Sequence, residues 1–296
     1  MEVNAHVYEM DFRNLTRGDQ TWRFHDAGDG PAVVLIHGFP DTPQSWGRIA
    51  STLNDEGYRT IVPYLRGYHP DTIVEGRPYD ALTLAEDVVG LLDALELDSA
   101  VLVGHDWGGT LVYGAAAIAP ERVDGVVPIG IAHPKTLKPK NMLQTIGLFV
   151  MARHFIYFQL PWSEWATRRG DFAYIDEIYS RWSPKWQDGE RDAAVARVKA
   201  AFADPVVLTG AVDYYRAMFK KPDRSLSPLN KALDTRALLV AGAEDFGGHL
   251  GPYKKSLSLF TEGADLLVIG SAGHWPHREH PTEFLPALLA FLKGDT

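Results

Sequence analysis

The chain has 296 residues, a hydrophobic content of 46%, and 29 lysines and arginines against 38 aspartates and glutamates, for a net charge of -9. That length suits one large α/β domain with an insertion or two compact domains, and the apolar share is enough for a sizeable core. The acidic balance without a long basic run argues against nucleic acid or an anionic membrane as partner, and the absence of cysteine excludes a disulfide framework, a thiolate nucleophile and a Cys-ligated metal.

Val7 to Phe12 and Thr21 to His25 alternate apolar and polar residues around a turn at Arg17-Gly18-Asp19, which predicts an antiparallel hairpin. Val33-Val34-Leu35-Ile36 is a short apolar run of the buried parallel kind. A helix is expected around Ser45 to Glu56, a strand at Thr60 to Pro63, and a helix over Leu82 to Leu95, with Thr83 as its cap and Glu86 three residues on. Ser99 to Val103 and Val126 to Ile129 read as the next strands, and the βαβα alternation implies a parallel sheet covered by helices. From about Lys135 to Pro228 the texture is helical and aromatic, holding Trp162, Trp165, Trp182 and Trp186. Strands then resume at Ala237 to Val240 and Asp265 to Ile269, before a final helix from Pro281 to Leu292. The expected organisation is a sheet core of residues 1–134 and 229–296, interrupted by a helical cap at 135–228.

The strand ending at Val103 runs into Gly104-His105-Asp106-Trp107-Gly108, then into a helix rich in small residues (Gly114 to Ala117). A tight strand-to-helix turn exposes its central side chain at the sheet edge, and here that side chain is a carboxylate. Attack by a carboxylate on an ester gives only an anhydride, whereas attack on a saturated carbon bearing a leaving group gives an alkyl ester that water can cleave. Two neighbouring carboxylates, Glu244 and Asp245, follow the strand Ala237 to Val240, and His274 follows the last strand.

Taken with His37-Gly38-Phe39-Pro40, Arg66-Gly67-Tyr68, Tyr214-Tyr215-Arg216 and Gly273-His274-Trp275, the turn at Asp106 resembles the α/β-hydrolase superfamily, and within it the epoxide hydrolases, over essentially the whole chain. The resemblance implies an α/β-hydrolase fold with a helical cap and a hydrolase that opens an epoxide to a vicinal diol. Asp106 takes the nucleophile's place, His274 that of the base activating water, and the Gly-x-x-Asp spacing selects Asp245 as the orienting acid, with Glu244 the alternative. Backbone amides of Phe39 and Trp107 take the oxyanion-hole positions; Pro40 has no N–H to offer. Tyr215 stands where the family carries a ring-opening tyrosine. The second donor position, three residues before Tyr157-Phe158-Gln159, holds His154 where a tyrosine is common, with Tyr157 as fallback. Phe39, Trp107, Tyr157 and Trp275 are the expected pocket residues, His277 and His280 are expected to face solvent, and His133 and His249 to be structural or rim residues.

The alternatives are a haloalkane or haloacid dehalogenase using the same triad and a non-catalytic ligand-binding α/β hydrolase. No cofactor is expected, since no Gly-x-Gly-x-x-Gly follows the first parallel strand, and no metal, since the clustered histidines lack a third ligand. The expected partner is a small apolar epoxide, and the oligomeric state stays open, a homodimer included. Met1 to His6 lacks the profile of a signal peptide, and no apolar run approaches the ~20 residues of a membrane span; even Leu143 to Phe158 is broken by Gln144, Arg153 and His154. A cytoplasmic location is therefore expected.

Overall fold

The computed structural model describes residues 10–137, 153–221, 225–245 and 249–294. Eight strands form one sheet: β1 (Phe12–Arg17), β2 (Gln20–Ala27), β3 (Ala32–Ile36), β4 (Arg59–Pro63), β5 (Ala100–His105), β6 (Val123–Ile129), β7 (Ala237–Gly242) and β8 (Ala264–Ile269). They lie in the order β1-β2-β4-β3-β5-β6-β7-β8. β1 and β2 are antiparallel to their neighbours, and β4 through β8 pair in parallel. β5 is buried along its whole length and holds the centre, because its apolar residues face helices on both sides of the sheet.

The helices flanking the core are α1 (Gly47–Asp55), α2 (Ala81–Ala94) and α3 (Trp107–Ile118). Between β6 and β7 come α4 (Arg153–Tyr157), α5 (Ser163–Trp182), α6 (Gly189–Phe202) and α7 (Pro205–Met218); α8 (Gly251–Ser256), α9 (Pro276–Glu279) and α10 (Pro281–Lys293) close the chain. α5 is bent where Arg169 to Phe172 leave helical geometry. The segment holding α4 to α7 lies over the ends of β3, β4 and β5: Tyr179 donates to the Pro40 carbonyl at 2.9 Å and Tyr214 to the Arg66 carbonyl at 2.8 Å. Among the described residues no helix is long and apolar enough to cross a membrane.

Three local expectations need correction. The hairpin pairs Phe12–Arg17 with Gln20–His25, so its first strand starts five residues later than the alternation suggested, and residues 7–9 lie outside the described set. α2 is capped by Asp80, not Thr83: Asp80 has extended backbone geometry and accepts from the Leu82 and Thr83 amides, while Thr83 already sits inside the helix. His277 is buried, its ring stacked 4.7 Å from that of Trp46; His280 is only half-exposed.

Candidate active site

β5 stops because the chain turns sharply at Asp106, whose φ of 53° and ψ of -113° are rare for a residue with a Cβ. Such a conformation costs on the order of 1–3 kcal/mol and persists only where neighbours over-determine it. They do so here: the Asp106 amide donates to Ile129 O at 3.0 Å, and the Asp106 carbonyl accepts from Thr110 N at 3.0 Å. Gly108 lets α3 press against β3, since a Cβ there would lie 2.2 Å from the Ile36 carbonyl oxygen. The side chain at the bend is thus lifted out of the sheet edge at the start of α3, where the helix dipole favours an anion.

Asp106 is 18% exposed through its side chain, and each of its oxygens has its own neighbour. Oδ1 accepts from the Phe39 amide at 2.8 Å. Oδ2 faces His274 Nε2 at 3.5 Å. On its other edge His274 Nδ1 pairs with Asp245 Oδ2 at 2.8 Å, both side chains buried. Glu244 turns outward to Lys185 at 2.7 Å. Of the two carboxylates after β7, Asp245 is therefore the one in contact with the imidazole.

The charges in this row sustain one another. Burial alone would lower the pKa of His274, but the Asp245 and Asp106 carboxylates push it up to about 10. Burial likewise opposes ionisation of Asp106, yet His274 and the Phe39 amide hold its carboxyl below the ordinary range. The two carboxylates thus favour the protonated imidazole between them.

Above Asp106 lies an aromatic wall from the inserted segment. The Tyr215 ring sits 5.1 Å from Phe39, 5.5 Å from Trp107 and 5.2 Å from His154, measured between centroids. Its hydroxyl is buried and makes no well-formed hydrogen bond among the described residues, though the Trp107 side chain lies beside it. Burial, and after it the Asp106 charge, raise the Tyr215 pKa well above the usual phenol value. His154 is 2% exposed, with Nδ1 unpartnered among the described residues. Burial first, and nearby Arg181 second, lower its pKa to about 3, so its ring is neutral at any physiological pH.

Phe39, Trp107 and His274 thus border Asp106, with Asp245 on the far edge of the His274 ring and His154 packed on Tyr215. Tyr157 and Trp275 are engaged elsewhere. The Tyr157 hydroxyl is spent within the insert, 3.2 Å from both Ser163 O and Thr167 Oγ1, and its ring packs on Tyr174. Trp275 is fully buried behind His274, stacked 4.2 Å from the Tyr179 ring. His133 is also buried and caps its own turn by accepting from Lys135 N, while His249 is exposed. Among the described residues no group of His, Cys, Asp and Glu could hold a metal ion.

Sequence reasoning passed over four residues that brace the site. His105 Nε2 lies 2.8 Å from the His274 carbonyl, and Glu279 and Ser183 bind amides of the base loop. Arg278 forms a buried ion pair with Asp41 at 3.4 Å, tying the helix after His274 to the loop after Phe39. A signal for Glu279 was present: an acid in the turn opened by Pro276 is a helix-start signature, and its oxygens then look back at preceding amides.

A parallel sheet with a bent turn after its fifth strand, and a carboxylate–imidazole–carboxylate row along its edge, defines an α/β hydrolase. Residues 31–169 match the family model described as alpha/beta hydrolase fold. An α/β-hydrolase superfamily protein of Bacillus subtilis is 30% identical over 90% of this chain and 91% of its own. An epoxide hydrolase of Caballeronia sordidicola is 43% identical, covering 90% of this chain and 89% of its own. The crystal structure of Epoxide Hydrolase A from Mycobacterium thermoresistibile superimposes with a TM-score of 0.80 at 25% identity, over 97% of this chain and 99% of that one. The chain belongs to the epoxide hydrolase family of the α/β-hydrolase superfamily.

Proposed function

We propose that this protein hydrolyses an epoxide to a vicinal diol through a covalent ester on Asp106, with the helical insert acting as its cap. The observation that carries the reading is the division of labour between the two Asp106 oxygens. Oδ1, held by the Phe39 amide, is placed to become the ester carbonyl oxygen, which leaves Oδ2 to attack. In the first half-reaction Oδ2 bonds to a ring carbon, the ring C–O bond breaks, and the departing oxygen takes a proton from Tyr215 while the neutral His154 N–H steadies it.

Ester formation removes the Asp106 charge, so His274 loses one of its two carboxylate partners and gives up its proton, which goes to the Tyr215 oxygen left deprotonated by ring opening. The neutral ring then takes a proton from water as the water oxygen attacks the ester carbonyl carbon. The Phe39 and Trp107 amides receive the developing oxyanion, each such donor worth about 3 kcal/mol on the barrier. Collapse breaks the bond between the ester carbonyl carbon and Oδ2, so Oδ2 leaves in the diol and a water oxygen replaces it on Asp106. Of the two protons water brings, one ends on the departing alkoxide and the other restores the imidazolium, while the proton His274 gave up restores Tyr215. The aromatic wall of Phe39, Trp107, Phe158 and Tyr215 suits an apolar substrate.

One turnover in heavy-oxygen water tests this. The first diol should carry an oxygen from Asp106, and His274→Ala should trap the ester, visible by intact-protein mass; direct solvent incorporation would reject the covalent route. Chloroalkanes run in parallel decide the dehalogenase alternative, which predicts halide release in preference to diol formation.

A further inference from the structure

The loop carrying His274 is held by groups that the two half-reactions do not use. The Gly273 amide donates to Glu279 Oε2 at 2.8 Å and the Trp275 amide to Glu279 Oε1 at 3.0 Å. Between them, the His274 amide is shared by Ser183 Oγ at 2.9 Å and the Trp182 carbonyl at 3.0 Å. The Ser183 hydroxyl donates in turn to Glu279 Oε1 at 2.7 Å. Three successive amides therefore converge on one carboxylate, two directly and one through a hydroxyl. The remaining backbone group of the base, its carbonyl, lies 2.8 Å from His105 Nε2, which must carry the proton because a carbonyl only accepts.

Two features of this clamp go beyond ordinary loop packing. Trp182 and Ser183 lie at the C-terminal end of α5, within the inserted segment, whereas Gly273 to Glu279 belong to the sheet core. The contact is also close enough to require glycine: a Cβ on Gly273 would fall 2.3 Å from Trp182 O and 2.5 Å from Ser183 Cα. Backbone meets backbone at the residue before the base, and a buried serine fills the remaining gap.

We infer that Glu279 and Ser183 are positioning residues for His274, and that through them the inserted segment sets the base for ester hydrolysis as well as supplying the ring-opening donors. The inference rests on the ester mechanism proposed above and adds a second duty to the insert. Asp245 fixes one edge of the ring, but a ring pivots about its own backbone, and the clamp removes that freedom. Water activation needs Nε2 aimed at a water near the ester carbonyl, and misplacement by about 1 Å can cost on the order of 100-fold in rate. Ester formation asks nothing of this geometry beyond the charge on Asp106.

The test compares full-length wild type, Glu279→Gln and Ser183→Ala, with styrene oxide as probe. Glutamine keeps the side-chain shape but replaces one acceptor oxygen with an NH2 that faces the donors it used to bind. In single turnovers followed by intact-protein mass, Glu279→Gln should form ester within about 3-fold of the wild-type rate and hydrolyse it at least about 10-fold more slowly, so that ester accumulates. Ser183→Ala, which leaves the Trp182 carbonyl in place, should slow hydrolysis by a few-fold, again without slowing ester formation. Tyr215→Phe should show the reverse split.

Amide hydrogen exchange gives a reading independent of turnover: Gly273 and Trp275 should lose protection in Glu279→Gln while the Asp106 turn keeps its own. Equal slowing of both half-reactions, no slowing of either, or unchanged protection at Gly273 and Trp275 would overturn the inference. Wild-type enzyme that turns over without an ester would instead reject the mechanism, leaving the exchange experiment to decide whether the clamp exists.

Discussion

Asp106→Asn removes the charge that the proposed ester step would remove, while keeping the side chain's shape. In the resting site His274 faces Asp245 at 2.8 Å and Asp106 at 3.5 Å, and its pKa stands at about 10 against an ordinary 6.5. At an effective dielectric of about 20, unit charges 3.5 Å apart attract by about 5 kcal/mol, equivalent to roughly 3.5 pKa units. Asparagine should therefore bring His274 down to roughly 6.5, with Asp245 as its remaining hydrogen-bonded carboxylate. A proton-detected NMR titration of the imidazole, assigned by comparison with His274→Gln, reads this directly.

Stability should follow with a definite sign. A folded-state pKa above the unfolded value contributes stability that is fully present below pH 6.5 and lost as the pH rises through about 10. That loss should amount to roughly 5 kcal/mol across the window in wild type, and Asp106→Asn should remove most of it. A wild-type His274 that titrates near 6.5, or one that Asp106→Asn leaves unmoved, would refute the charge-release step by which the ring becomes a base.

Other perturbations separate the remaining roles. Tyr215→Phe should slow ester formation by about 100-fold or more, the usual worth of a general acid, and leave hydrolysis of the preformed ester nearly unchanged in a rapid-quench assay. Asp245→Asn should lower turnover by on the order of 10,000-fold by analogy with other triads. Glu244→Gln, which breaks only a surface pair with Lys185, should leave turnover within about 2-fold and melting almost unmoved. Gly108→Ala should destabilise the fold by at least about 1–3 kcal/mol in denaturant titrations, since the new methyl meets the Ile36 carbonyl and backbone cannot step aside as a side-chain end can.

The Asp106 turn was legible because local signals agreed there: an apolar strand, glycines two residues to either side of an acid, and a helix of small residues, all within 18 positions from Ala100 to Ala117. The parallel strands were legible to within a few residues, because runs such as Val33 to Ile36 have no face to give to water. β1 was less so, since an edge strand with most side chains exposed carries little pattern to fix its start. At α2, Thr83 and Glu86 imitate a capping pair one turn too late, while Asp80 makes the actual cap. His277 and the Ser183 partner of Glu279 were missed for a tertiary reason. Pro276-His277-Arg278-Glu279 is as polar as any surface turn, and only the packing of Trp46 and the end of α5 against it shows that the turn is interior.

The placement of protons separates the two halves of the molecule. Among the described residues, the charged row belongs to the sheet core: Asp106, Asp245 and the His274 ring between them. The groups that the insert hangs above them, His154 and Tyr215, are both held neutral by burial, the first by a lowered pKa and the second by a raised one. A charged donor overhead would compete with His274 for the Asp106 carboxylate and blunt it as a nucleophile, whereas a neutral N–H or O–H offers nothing until an alkoxide forms beneath it. In the proposed mechanism, the same burial that makes His154 too weak a base to hold a second proton keeps the Asp106 charge paired with His274 until ring opening, and the ester formed there then releases the imidazole for the next step.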